Sequence, residues 1–112
     1  MALLITDEDV DALYSFEDAI AVVQDTFRQA GERTAINPAR FRMPFDGGFL
    51  QFGPAALLEK KIVGYKVWAN FDFHLKNTPA QSWNYLHSME TNELIAILQS
   101  YKVGRLRTSA RV

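Results

Sequence analysis

The chain has 112 residues, a mass of 12.7 kDa and a formal net charge of −1, which together predict a single domain. Hydrophobic residues make up 48% of the chain and charged residues 22%, a composition that excludes a disordered or low-complexity protein. The sequence has no cysteine and two histidines, His74 and His87. It therefore excludes disulfide scaffolds, thiolate metal sites and cysteine nucleophiles, and we expect no metal site.

No stretch approaches the roughly 20 consecutive apolar residues that a membrane-spanning helix needs, so we expect no membrane partner. The N-terminal residues have no basic segment and become acidic at Asp7, which argues against a signal peptide. We therefore expect a cytoplasmic protein.

Charge is distributed unevenly along the chain. The first 27 residues contain seven acidic residues and no Lys or Arg. The last eleven contain no acidic residue and four basic ones: Lys102, Arg105, Arg107 and Arg111. A basic tail can bind nucleic acid, but the pI of about 6.1 and the lack of a basic stripe elsewhere favour a helix end or a solvated surface segment. We expect no nucleic-acid partner.

The N-terminal part of the chain predicts a short edge strand at residues 3–5, followed by a helix. Thr6 stands three positions before Asp9, which is the spacing of a capping box, and acidic residues suit the positive end of a helix. We expect a short helix over residues 7–14.

A second, longer helix is predicted over residues 16–31. Ser15 and Asp18 repeat the capping-box spacing. Apolar residues then recur at intervals of three and four, which places them on one side of a helix. Gly31 is expected to be its C-cap.

From residue 40 the pattern changes to short strands. Five strands are predicted, at residues 40–45, 49–52, 62–69, 81–88 and 94–98. Asp46-Gly47-Gly48 and Glu90-Thr91-Asn92 predict hairpin turns, Gly53-Pro54 predicts a strand end, and residues 70–77 predict a loop. Two helices followed by an antiparallel or mixed β-meander indicate an α+β fold, with a terminal helix beginning in residues 101–112.

Lys66 is unusual because it lies in the middle of a predicted central strand. Alternation places it on the same sheet face as Gly64 and Trp68. It either extends along the sheet surface into water or is held in a pocket, where an amine suits proton transfer or carboxylate binding. Arg40 and Arg107 are each typical of surface arginines, unless the fold brings them together around an anion.

Six short motifs follow one another along the whole chain: Leu4-Ile5-Thr6-Asp7-Glu8-Asp9-Val10, Asn37-Pro38-Ala39-Arg40, Gly48-Phe49-Leu50 with Pro54-Ala55, Gly64-Tyr65-Lys66-Val67, Glu90-Thr91-Asn92-Glu93-Leu94-Ile95-Ala96 and Leu106-Arg107-Thr108-Ser109-Ala110. In this order they resemble the N-terminal part of the ornithine cyclodeaminase/mu-crystallin family. Several positions depart from the family pattern, among them Gly53, Asn92 and Arg111. Gly53 stands where the family usually has Met, and Asn92 replaces a hairpin Gly, which Asn can do because it tolerates positive φ.

The resemblance implies a two-domain NAD(P)-dependent enzyme, in which a Rossmann domain binds the cofactor. Residues 1–112 are then a single N-terminal substrate-binding and dimerisation domain, truncated before the missing cofactor domain. The resemblance also implies that Arg40, Lys66 and Arg107 hold the substrate carboxylate. It implies that Lys66 takes part in catalysis and that Thr108 helps to orient the substrate.

The implied reaction is amino-acid cyclodeamination, amino-acid dehydrogenation or ketimine reduction, on a small amino or imino acid and with NAD(P) in the whole enzyme. The chain has no glycine-rich phosphate loop, so we expect that it binds no cofactor and is inactive alone. The alternative is a non-catalytic dimeric binding or structural protein of mu-crystallin type. A homodimer is expected in either case.

Overall fold

The computed structural model describes residues 2–71 and 81–100, together with residues 103, 105 and 108. Within these residues two helices and seven strands follow one another along the chain. In order they are β1 (Leu3–Ile5), α1 (Asp7–Leu13), α2 (Phe16–Gly31), β2 (Ala35–Ile36), β3 (Phe41–Phe45), β4 (Gly48–Leu57), β5 (Ile62–Phe71), β6 (Gln81–Ser88) and β7 (Leu94–Gln99). Val103, Arg105 and Thr108 are helical. The remainder of the predicted terminal helix, and most of the predicted loop, lie outside the described residues.

The strands form one mixed sheet in the order β1-β7-β6-β5-β4-β2, and β3 also pairs with β4. Strands β4 to β7 are consecutive antiparallel neighbours, as the predicted meander requires. In contrast, β1 pairs with β7 in parallel, with Leu3 opposite Ala96. The α+β class is confirmed. The two helices connect β1 at one edge of the sheet to β2 at the other edge.

Both helices begin at their predicted caps. The Thr6 hydroxyl accepts a hydrogen bond from the Asp9 N–H at 3.2 Å, and the Asp9 carboxylate accepts one from the Thr6 N–H at 2.9 Å. Ser15 and Asp18 form the same reciprocal pair at α2. The bonds from these backbone N–H groups lower the pKa of both carboxyl groups. Each helix therefore starts beside an ionised carboxylate, which the positive end of the helix dipole favours.

The prediction that Gly31 caps α2 is wrong. Gly31 is the last helical residue, Glu32 is the C-cap, and Arg33 adopts the left-handed conformation with φ of 63°. The helix end is closed by the Thr34 N–H, which donates to the Gln29 carbonyl at 2.9 Å. The left-handed position thus falls two residues after the glycine.

The prediction that Gly53-Pro54 ends a strand is also wrong, because β4 continues past Pro54. On one side Pro54 lies opposite Tyr65 of β5. On the other side, pairing with β3 extends to Phe52, and pairing with β2 starts at Ala56. Pro54 therefore lies in the gap between two edge strands, where a missing N–H breaks no bond of the ladder.

The two sheet faces differ in character. The face that includes Lys66 is called the cavity face below. The opposite face, called the aromatic face, includes these side chains: Phe41, Met43, Phe45, Phe52, Val63, Tyr65, Tyr85 and His87. On it Tyr65 stacks against Tyr85, with ring centroids 5.0 Å apart, and against His87 at 5.6 Å.

Apolar burial is limited in the described part of the chain. The buried apolar residues are Val10 of α1, Ala19 and Val23 of α2, and Ala96 of β7. Neither α1 nor α2 combines the length and apolar character that crossing a membrane requires.

Gly64 has closer neighbouring atoms than the other described glycines, and those atoms belong to β6. A Cβ atom at this position would be 2.8 Å from Cδ2 of Leu86 and 2.8 Å from the Tyr85 carbonyl oxygen. At Gly31, in contrast, a Cβ would meet no atom within 4 Å. A backbone oxygen cannot move aside as a flexible side chain can, so a Cβ at residue 64 would force β5 and β6 to shift.

We expect Gly64→Ala to lower the free energy of unfolding by about 1–3 kcal/mol, because the added methyl overpacks the strand pair. Gly31→Ala is the matched control and should raise it by up to about 1 kcal/mol, because alanine is the better helix former. Urea denaturation followed by circular dichroism measures both changes. Equal midpoints for Gly64→Ala and the wild type would contradict this account.

Candidate functional site

A cavity of about 900 Å³ lies on the cavity face. Its floor is built from cross-strand neighbours on β4, β5 and β6. Residues of β2, the segment before β3 and the C-terminal helical residues complete its lining. The cavity therefore combines elements from both ends of the chain.

Lys66 lies in the middle of the floor and is partly exposed. Its neighbours across the ladder are Gly53 on β4, which has no side chain, and Asn84 on β6. The Lys66 Nζ atom is 5.5 Å from the centroid of the Trp68 ring, within the range of a cation–π attraction. The strand register thus leaves open space on one side of Lys66 and an amide on the other.

Arg40 enters the same part of the cavity from the segment before β3. Its Cγ atom is 3.7 Å from the position that a Cβ would occupy on Gly53. Cross-strand Cβ atoms are about 4.5–5.5 Å apart, which places the Arg40 stem within roughly 9 Å of the Lys66 Cβ. The fold thus brings Arg40 and Lys66 to adjacent positions of one cavity.

The C-terminal helical residues contribute Thr108 and Arg105 to the cavity lining, and both are exposed. Their separation of three positions places them on one side of a helix. Thr108 was predicted as a site residue, whereas Arg105 was assigned to the basic tail. The three-residue helical spacing between Arg105 and Thr108 was the signal that could have identified Arg105 as a lining residue. Arg107 lies outside the described residues, and its contact with a carboxylate stays a prediction.

The sequence analysis did not single out Asn84. The Asn84 Nδ2 donates a hydrogen bond to the Ser100 hydroxyl at 2.7 Å, and Ser100 is buried. This bond fixes the amide beside Lys66. The alternation of side chains along a central strand could have identified Asn84 as a cavity residue. Ser82 and Asn84 share one face of the strand, while Trp83 and Tyr85 share the other.

Trp68 is held in place by an aromatic contact and leaves a polar group unpaired. Phe49 packs edge-on against its ring at 5.7 Å, and the Arg42 guanidinium lies 4.2 Å above the Phe49 ring. Trp68 Nε1 and the hydroxyl of its cross-strand neighbour Ser82 are buried without a hydrogen-bond partner in the described structure. Each such group costs about 1–3 kcal/mol, which bound water or a polar ligand group can offset.

A metal site is not evident in the described part of the chain, where no three His, Cys, Asp or Glu side chains lie close enough to hold an ion. The expectation of no metal stays a prediction.

No protein-family model matches the sequence. No curated protein matches it either.

Solved structures share the fold over nearly the whole chain. An archaeal alanine dehydrogenase dimer with bound NAD has a TM-score of 0.88 and 28% identity, and the match covers 98% of this chain and 34% of that one. A probable ornithine cyclodeaminase from Bordetella pertussis Tohama I has a TM-score of 0.86 and 22% identity, and the match covers 98% of this chain and 34% of that one. The Thermococcus litoralis Δ1-pyrroline-2-carboxylate reductase, in complex with NADH and L-proline, has a TM-score of 0.88 and 22% identity. This match covers 97% of this chain and 35% of that one.

The chain shares its fold with ornithine cyclodeaminase-like and alanine dehydrogenase-like proteins. The resemblance identified from six sequence motifs is thereby confirmed. The chain spans about a third of the length of these solved structures. The neighbours include NAD-dependent enzymes of amino and imino acids.

The N-termini of α1 and α2 are unfavourable positions for the phosphate groups of a dinucleotide. Phosphate groups bind at helix N-termini with free N–H groups, but the first turns of α1 and α2 are acidic. Their carboxylates are Asp7, Glu8, Asp9, Glu17 and Asp18. Gly47, with φ of 91°, is in the turn between β3 and β4 and does not open a helix.

We expect this chain to show no saturable NADH binding at micromolar concentration, because neither α1 nor α2 offers a phosphate site. Energy transfer from Trp68 and Trp83 to NADH, checked by equilibrium dialysis, measures it. A dehydrogenase with bound NADH provides the positive control. Saturable micromolar binding would show that the chain contains a dinucleotide site.

Proposed function

We propose that this chain is the substrate-binding and dimerisation part of a cytoplasmic, NAD(P)-dependent enzyme that acts on small amino or imino acids. The observation that supports this most strongly is that Arg40, Lys66 and Thr108 line one cavity, although they are far apart in the sequence. The similarity to an alanine dehydrogenase and to a pyrroline-carboxylate reductase supports the class of reaction.

In this proposal the Arg40 guanidinium and the Lys66 ammonium bind the substrate carboxylate. Hydrogen bonds between ionised groups are roughly twice as strong as neutral ones, and a guanidinium can offer two in parallel. Arg107 is the third carboxylate-binding residue, and Thr108 orients the substrate. Asn84, fixed by Ser100, extends the set because it flanks Lys66.

Lys66 has a second role in this proposal. A lysine amine that lies beside the substrate nitrogen can exchange a proton with it, provided that the two come within hydrogen-bond reach. The nicotinamide cofactor of the whole enzyme supplies hydride transfer when bound. The residues of this chain bind the substrate, orient it and move the proton.

The binding roles are tested by titrating L-norvaline and L-ornithine into the chain. Trp68 serves as the fluorescent reporter, in a background where Trp83 is changed to Phe. Lys66→Met and Arg40→Met should each weaken binding of the tighter ligand by about 10-fold to 100-fold, the equivalent of one lost charge-assisted hydrogen bond.

The control for these variants is Lys60→Met, which removes a lysine from the turn outside the cavity and should leave the affinity unchanged. Circular dichroism establishes that each variant is folded. Wild-type affinity in a folded Lys66→Met variant would contradict the assigned role.

The aromatic face supports the dimer in this proposal. Phe41 is 62% exposed and Met43 is 46% exposed, and Phe45, Phe52 and Tyr65 on the same face are exposed as well. A contiguous patch of large apolar side chains is typical of an interaction surface. The archaeal alanine dehydrogenase with this fold is itself a dimer. We infer that a second copy of the chain covers the aromatic face.

Sedimentation equilibrium should give a dimer at high micromolar concentration. Phe41→Asp should shift the chain to a monomer, because a carboxylate would be buried without a partner in the interface. Leu13→Asp is the matched control, since Leu13 is an exposed apolar residue of α1, and it should leave the dimer intact. A wild-type chain that sediments as a monomer at this concentration would refute the dimer.

A further inference from the structure

Gly53 lies on the cavity floor beneath the stem of Arg40. A Cβ atom at residue 53 would be 3.7 Å from the Arg40 Cγ atom. Its chain neighbours aside, no other atom of the described residues would lie within 4 Å of that Cβ. The Arg40 stem therefore lies over the backbone of β4, in the volume that a side chain at residue 53 would enter.

The same volume lies next to Lys66. The pairing of β4 with β5 places Gly53 directly opposite Lys66. Directly opposed residues of an antiparallel pair have Cβ atoms about 4.5–5.5 Å apart, so a side chain at residue 53 would stand beside the Lys66 stem. Both Arg40 and Lys66 line the cavity. The glycine thus leaves room for the Arg40 stem to lie next to Lys66.

The backbone does not require a glycine at residue 53. Gly53 lies within β4 and does not have the positive φ that Gly47 has. At Gly64 an added Cβ would meet a backbone oxygen at 2.8 Å, whereas at Gly53 it would meet only the Arg40 side chain. The packing of the two strands therefore explains Gly64, and the position of the Arg40 stem explains Gly53.

The size of the side chain at residue 53 decides whether the Arg40 stem can stay in place. A single methyl group at 3.7 Å would be in ordinary van der Waals contact with it. Side chains of a strand stand roughly perpendicular to the sheet, so a longer one would project into the volume of the stem. The guanidinium is joined to Cγ through one methylene group, and a shift of the stem would carry it along.

We infer that Gly53 is a positioning residue for Arg40. Its missing side chain lets the Arg40 stem lie against β4, and this directs the guanidinium to the carboxylate that Lys66 also binds. The inference rests on the proposed function and adds to it a residue that acts through Arg40. Charge-assisted hydrogen bonds need donor–acceptor distances of about 2.7–2.9 Å, so a displaced guanidinium would lose them.

Gly53→Met tests this role in the same titrations of L-norvaline and L-ornithine. It should weaken binding of the tighter ligand by about 10-fold or more, as expected for one lost charge-assisted hydrogen bond. Gly53→Ala should weaken it by no more than about 2-fold, because a methyl group leaves the stem in place. Gly31→Met lengthens a glycine outside the cavity and is the matched control, which should leave the affinity unchanged.

A double variant separates positioning from simple obstruction of the cavity. In an Arg40→Met background, Gly53→Met should weaken binding by no more than about 2-fold, because no guanidinium is left to displace. A further loss of about 10-fold in that background would show that residue 53 acts on the ligand directly, and would overturn the inference. Wild-type affinity in a folded Gly53→Met variant would also overturn it and would leave the proposed function standing.

Circular dichroism establishes whether Gly53→Met is folded. If it is not, Gly53→Val replaces it in both backgrounds, because valine is favoured in strands, and the same outcomes decide. Failure of both ligands to bind the wild-type chain would overturn the proposed function, and this inference with it.

Discussion

The register between β4 and β5 is the constraint on which the site depends. Ten residue pairs connect the two strands, and they place Gly53 opposite Lys66. A slip of one residue would move Lys66 to the aromatic face and Tyr65 to the cavity face. The tight turn before β5 opposes such a slip: Lys61 adopts φ of 55°, and its N–H donates to the Leu58 carbonyl at 3.1 Å.

Because side chains alternate along a strand, a single register serves two surfaces. Lys66 and Asn84 face the cavity, whereas Tyr65 and Tyr85, their neighbours in sequence, stack on the aromatic face. A lysine in the middle of a central strand is therefore consistent with the aromatic residues beside it. The same backbone pairing places polar groups in the cavity on one side of the sheet and aromatic groups on the other side.

Sequence signals predicted the structure best where they were local. The bounds of α2 follow from the capping box of Ser15 and Asp18 and from the apolar spacing after it. Features that depend on distant strands were not predictable in this way: Pro54 is tolerated because of where β2 and β3 end. The proximity of Arg40 to Lys66 was expected from the family resemblance, since no spacing within the sequence indicates it.

Gly53 illustrates how a local feature of the sequence, one missing side chain, affects contacts between distant parts of the chain. The family that the chain resembles usually has Met at this position, and the structure places the Arg40 stem against the open space that glycine leaves. At 3.7 Å, a single methyl at residue 53 would be in ordinary contact with Arg40. A longer side chain would occupy the space beside Lys66 that the Arg40 stem now reaches. The residue at position 53 therefore controls both how Arg40 approaches Lys66 and how much room remains in the cavity beside Lys66.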